Sequence, residues 1–131
     1  MSKPSAEDQQ VYEFILNEID SVPHLEALLL LWNTRPSTWL AEDLAKRLYT
    51  KTNIAHSLLR DLARHNFLTV SSDAPERFSY LSASEDRDRL IALLDNTYRR
   101  QVVRISTLIH SKASSAVLDF ARAFRFTKER E

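Results

Sequence analysis

Four histidines are the side chains best placed to move a proton or hold a metal near neutral pH: His24, His56, His65 and His110. No two of them stand at the i, i+4 spacing that presents a metal pair from one helix. The chain has no cysteine, which removes thiolate nucleophiles, thiolate metal sites and disulfides. It also has no glycine in 131 residues, where about 7% is average. Phosphate-cradling loops and dinucleotide fingerprints are therefore excluded. A nucleophile elbow around any of the serines is excluded as well. The carboxylate pairs Glu42-Asp43 and Glu85-Asp86 fall where helices should start, a position that favours acids for dipole reasons. They are not read as general acid/base pairs, and neither an enzyme nor a cofactor or metal is expected.

What remains is hydrogen-bonding and cationic chemistry on one helix face. At ~100° per residue, Ala55, Leu58, Leu59 and Leu62 fall within a single ~100° stripe, which should be buried. Opposite it lie Asn53, Ser57, Arg60 and Arg64, with His56 on the flank and Asp61 off to the side. A merely solvated helix would interleave Glu with Lys. This face instead presents donors suited to phosphates and base edges.

Positioning such a face needs neighbouring elements, and the sequence supplies them in order. A short amphipathic helix over 39–48, with Leu44 and Leu48 inward, can be capped by Ser37 or Thr38. A tight Tyr49-Thr-Lys-Thr connection leads to the 52–65 helix, with Thr50 as its candidate cap. Asn66 sits just past that helix, where a left-handed residue is wanted and Asn is the best choice after Gly. Two alternating runs follow, 67–71 and 77–81, reading as a β-hairpin. Helix, turn, helix and hairpin are the plan of a winged helix-turn-helix. The fold class expected is mainly α, with a small two- or three-stranded wing, and the core unit spans 22–82 of a single domain over 1–131.

The pattern Leu44-x3-Leu48-x9-Leu58-Leu59-x2-Leu62-x3-Asn66-Phe67-Leu68 resembles the core of MarR-type and related bacterial winged-helix regulators. The resemblance covers the central ~45 residues by motif. Tyr49 replaces a small turn residue, Ser57 an Arg that is common there, and the 71–76 wing is acidic, with Asp73 and Glu76 beside Arg77. The resemblance implies a homodimer in which N- and C-terminal helices interlock, and duplex DNA as partner.

The flanks give that implication physical content. Ser5-Ala-Glu-Asp8 reads as a capping box opening a helix with Val11, Phe14, Ile15 and Ile19 on its apolar face. Pro23 suits the first turn of a helix over 22–33 that is apolar almost all round and should be the most buried element. Beyond the wing, Ser84 opens a helix expected to run unbroken to about residue 110. Ile91, Leu94, Tyr98, Val102, Ile105, Leu108 and Ile109 make a heptad-like stripe along it, with Gln101 the one polar break. Such a helix would be ~40 Å long, more than a small winged domain can cover. The stripe, together with Phe14, is therefore expected to form a dimer seam, with 5–20 and 84–126 as the dimerisation region. A final helix is expected with Val117, Phe120, Ala121 and Phe124 inward and Arg122, Arg125 and Lys128 outward.

Eighteen charges of each sign cancel, yet they are unevenly distributed. Residues 1–33 carry one Lys against six acids, while 34–65 carry six basic residues against three acidic. The helix-turn-helix is thus a local positive patch, as DNA binding requires. The longest apolar run, Ala27 to Trp32, is far short of the ~18 residues that span a bilayer. Met1-Ser-Lys-Pro4 has no apolar h-region, so a cytoplasmic protein is expected. Two functions fit. One is a sequence-specific DNA-binding transcription regulator, with Lys51, Thr52, Asn53, Ser57 and Arg60 as the best contact candidates and Arg64 and Arg77 toward the backbone. The other is a winged-helix assembly module that meets a protein partner.

Overall fold

Ser5 accepts a hydrogen bond from the Asp8 N–H at 3.0 Å and starts the first helix, α1, Ala6–Glu18, as its capping pattern predicts. The computed structural model describes residues 5–112. The expected helix around Phe120 and Phe124, with its Arg122, Arg125 and Lys128 face, lies outside the described residues. Val11, Ile15 and Ile19 are fully buried. Ser21 caps α2, Val22–Asn33, and Pro23 occupies its first turn. Six residues of α2 (Leu25, Ala27, Leu28, Leu29, Leu31 and Trp32) are buried, so this helix forms the centre of the core.

The helix-turn-helix follows as α3, Ala41–Leu48, and α4, Thr52–Arg64. The expected start at residue 39 and the expected caps are both corrected. Neither Ser37 nor Thr38 caps α3, whose N-cap is Leu40 without a side-chain bond. Trp39 is instead drawn into the wing: its N–H donates to the Phe78 carbonyl at 2.7 Å and its carbonyl accepts from the Phe78 N–H at 2.9 Å. Thr50 does not cap α4 either, because the N-cap position falls on Lys51. Asp43 and Glu42 in the first turn of α3 supply dipole compensation where no cap exists.

Both helices end through a left-handed residue. Tyr49 (φ 55°, ψ 46°) closes α3, with the Thr50 N–H reaching the Ala45 carbonyl at 2.9 Å. Asn66 (φ 64°) closes α4, with the Phe67 N–H reaching the Leu62 carbonyl at 3.0 Å. These long backward bonds satisfy carbonyls a helix end leaves open. The expected left-handed Asn66 is found.

Strands β1, Leu68–Val70, and β2, Phe78–Tyr80, pair antiparallel in the register Leu68↔Tyr80, Thr69↔Ser79, Val70↔Phe78. Leu68 and Phe78 are buried, whereas Thr69 is exposed and bonds Ser79 across the ladder at 2.9 Å. Phe67 is buried too, edge-on to Phe14 with ring centroids 5.8 Å apart. Removing either Phe67 or Phe78 would cost about 3–5 kcal/mol, so the wing is rooted in the core by its aromatics.

The single long helix expected over 84–110 is two helices. Ser84 caps α5, Glu85–Arg100, and α6 occupies residues 102–112. Gln101 (φ −131°, ψ 46°) is the break. Its side chain accepts from the Tyr12 hydroxyl at 2.5 Å and donates to Asp8 at 3.2 Å, while its carbonyl accepts from the Ile105 N–H at 2.9 Å. A polar residue that α1 can bind thus stops one helix and starts the next. The Lys112 ammonium then donates to the Ile19 carbonyl at 2.9 Å, closing the end of α1.

This break changes the fate of the apolar stripe. Ile91, Leu94, Ile105 and Ile109 are buried in this chain's own core. Phe14, Tyr98 and Leu108 are half-buried against that core, and Val102 is 46% exposed. No helix among the described residues is long and apolar enough to cross a membrane.

Candidate nucleic-acid interface

The amphipathic pattern of α4 decides what it offers. Ala55, Leu58, Leu59 and Leu62 are its buried residues, as the ~100° stripe requires. Asn53, Ser57, Arg60 and Arg64 are all exposed on the other side, and Lys51 and Thr52 are exposed where the helix begins. Arg77 is exposed on the wing. All seven candidate residues are therefore exposed, six on α4 or at its start and one on the wing. Because no side chain caps α4, its first-turn N–H groups are left without a side-chain partner, with the positive end of the dipole behind them.

The charges on this face are not all free. Arg60 is 52% exposed, but its Nη1 lies 3.2 Å from the Glu76 carboxylate of the wing. The other oxygen of Glu76 lies 3.3 Å from His56 Nε2. Arg64 is bound to Asp61 one turn back on the same helix. Asp61 also meets His24 Nε2 of α2 at 2.8 Å. The His24 hydrogen bond, helped by Arg64, holds the Asp61 carboxyl below the usual carboxylate range against its own desolvation. The Asp61 charge noted in the sequence is thus a tie between α4 and α2, and not a free anion on the recognition face. At the C-terminal end, His65 lies 3.5 Å from Glu18 of α1. Three histidine–carboxylate contacts therefore tie α4 to α2, to the wing and to α1.

Lys46, Arg47, Lys51 and Arg77 make no ion pair among the described residues. Sequence reasoning does not single out Arg47 as a site residue, although its place beside Lys46 on a short amphipathic helix is visible. Glu76 reads there only as a charge that makes the wing acidic. Nothing local in the sequence shows that it reaches α4, twenty residues away. Ile54, 45% exposed beside Asn53, is also missed, although its position off the buried stripe can be found by angle.

Among the described residues no group of three His, Asp or Glu side chains could hold a metal ion. The wing base carries a different cation arrangement. The Arg35 guanidinium lies 3.4 Å from the Trp32 ring centroid and 5.9 Å from that of Tyr80. Burial, with the Asp88 carboxylate that accepts from the hydroxyl at 2.7 Å, pushes the Tyr80 phenol far up, so it stays protonated. This cluster welds the wing to α2 and α5, and its role is structural.

No protein-family model matches the chain, and no curated protein matches it. Solved structures do. A transcriptional regulator of Thermotoga maritima is similar over 95% of this chain and 87% of its own, at 13% identity and a TM-score of 0.52. A MarR family protein from Bacillus stearothermophilus is similar over 95% of this chain and 84% of its own, at 18% identity and a TM-score of 0.50. A mutant of Staphylococcus aureus MepR bound to an oligodeoxyribonucleotide is similar over 90% and 89%, at 14% identity and a TM-score of 0.51. Helix order, two-stranded wing and flanking helices together give this chain the MarR-type winged-helix fold.

Proposed function

We propose that this chain is a duplex-DNA-binding transcription regulator that acts as a homodimer, with α4 as the helix that enters the major groove. The observation that carries this reading is the division of α4: one side wholly buried, the other exposing Asn53, Ser57 and Arg60 behind an uncapped, cationic start at Lys51. Asn offers a bidentate fit to adenine and Arg to guanine, and Lys51 and Arg77 suit phosphates. The S. aureus MepR structure with bound oligodeoxyribonucleotide supports the same reading. For the dimer, the apolar side chains still accessible are Phe14, Tyr98, Val102 and Leu108 of the expected seam, joined by Leu16 and Val103.

The assembly-module reading also has an observation in its favour, since Glu76 cancels the charge of Arg60 on the very face that DNA would meet. Selection from random duplex DNA, followed by anisotropy titration at two salt concentrations, separates the two. The regulator reading expects an enriched site that wild type binds far more tightly than a shuffled duplex. It also expects Asn53→Ala with Arg60→Ala to lose on the order of a thousandfold on that site, from ~1–3 kcal/mol per contact counted in two half-sites. Selection that enriches no sequence would hand the protein to the assembly reading.

A further inference from the structure

Glu76 is held in place from both sides. The Arg77 N–H donates to the Ser71 hydroxyl at 2.9 Å and the Arg77 carbonyl accepts from the Ser71 N–H at 2.9 Å, which closes the wing loop. Two residues after Glu76, Phe78 is fully buried, bonded to Trp39 in both directions, and edge-on to the His56 ring at 6.3 Å. The carboxylate is therefore delivered to α4 by the wing's own rooting. There its two oxygens meet two residues one turn apart, His56 and Arg60. Beside them His56 and Glu76 border a cleft of about 380 Å3 that Thr52 of α4, Leu40, Ala41 and Pro75 help to line.

The consequences for Arg60 follow from its donor set. A guanidinium has five N–H donors in a rigid plane. Glu76 pairs with Nη1 at 3.2 Å and so biases where the guanidinium sits, while half of the side chain remains exposed. The carboxylate cancels most of the long-range attraction between Arg60 and phosphate, yet it leaves donors for a base edge. An ion pair as exposed as this contributes little to folding stability, so stability alone does not account for the arrangement.

We infer that Glu76 is a specificity-determining positioning residue. It orients Arg60 toward the two acceptors of a guanine edge, and withholds its charge from phosphates, so that general affinity for DNA is exchanged for discrimination between sequences. The inference rests on the DNA-binding reading above and adds to it the residue that sets its selectivity.

The test uses the full chain as wild type, Glu76→Gln, Arg60→Ala and the double variant. The probes are the duplex selected by wild type and a shuffled duplex of equal composition. Each is titrated by anisotropy across a salt series, with melting curves to verify folding. Glu76→Gln should bind the shuffled duplex more tightly, with a salt slope steeper by about 0.9 for each additional phosphate that the freed Arg60 neutralises. It should lose about tenfold of the selected-to-shuffled ratio per half-site. In the Arg60→Ala background the same change should leave the ratio where it was, since the residue through which Glu76 acts is gone. A merely structural role would move both duplexes together. Glu76→Gln that shifts both affinities by the same factor, or that lowers the ratio equally without Arg60, overturns the inference while the DNA-binding reading stands. Wild type that selects no sequence overturns both, and is seen before any variant is made.

Discussion

Tyr49 offers a test of the turn on which the helix-turn-helix depends. It is left-handed, with φ 55° and ψ 46°, and 97% exposed. For a residue with a Cβ this conformation costs roughly 1–2 kcal/mol, and only glycine, or to a lesser extent Asn and Asp, avoids most of that cost. Changing Tyr49→Asn should recover part of it. The loss on the other side is small, because at about 25 cal/mol per Å2 the few Å2 of ring still covered are worth roughly 0.1–0.2 kcal/mol. The net expectation is a gain of about 0.5–1 kcal/mol, or ~2–5 °C in Tm for a chain of this length. Tyr49→Gly should gain less, since glycine adds about 0.4–1 kcal/mol of unfolded-state entropy. Urea unfolding followed by circular dichroism gives the midpoint and the slope together, and the slope should not change. A Tyr49→Asn protein with a Tm equal to or below wild type would refute the reasoning, and would mean that the exposed ring makes a contact the isolated chain conceals.

Lys51→Ala and Arg77→Ala should each weaken selected and shuffled duplexes by the same factor. Each should also reduce the salt slope by about 0.9 for every phosphate it no longer neutralises; a change confined to the selected site would make either residue a base reader. Asp61→Asn tests the tie to His24 through pH. The folded carboxyl lies below its ordinary value of 3.8, so its contribution to stability is present above that value and is lost as the pH falls through the folded pKa. The variant should therefore be less stable than wild type above that ordinary value and converge on it as the pH falls through the lower, folded one. Urea midpoints across that range check it, and parallel curves for the two proteins would show that the tie carries no free energy.

Much of the fold was legible because it is local. The buried stripe of α4 follows from a 3.6-residue period alone, the Ser5 cap from a short motif, and left-handed Asn66 from the demands of a helix end without glycine. The exposed polar face of α4 follows by the same arithmetic. What the sequence did not disclose lies in contacts between residues far apart. Gln101 looked like one polar residue in a continuous stripe. Only the tertiary structure shows that Asp8 and Tyr12, some ninety residues earlier, bind its amide and turn one helix into two. That break folds Ile105 and Ile109 into the chain's own core, although periodicity assigned them to a partner. Trp39 had a helical pattern around it and was won by the wing through two backbone hydrogen bonds to Phe78. Glu76 read as a stray acid until the wing's rooting carried it to His56 and Arg60. Period and capping act within one or two turns of helix, so sequence order exposes them. Which side chain meets which across elements depends on how the elements pack, and that is decided only when the core closes.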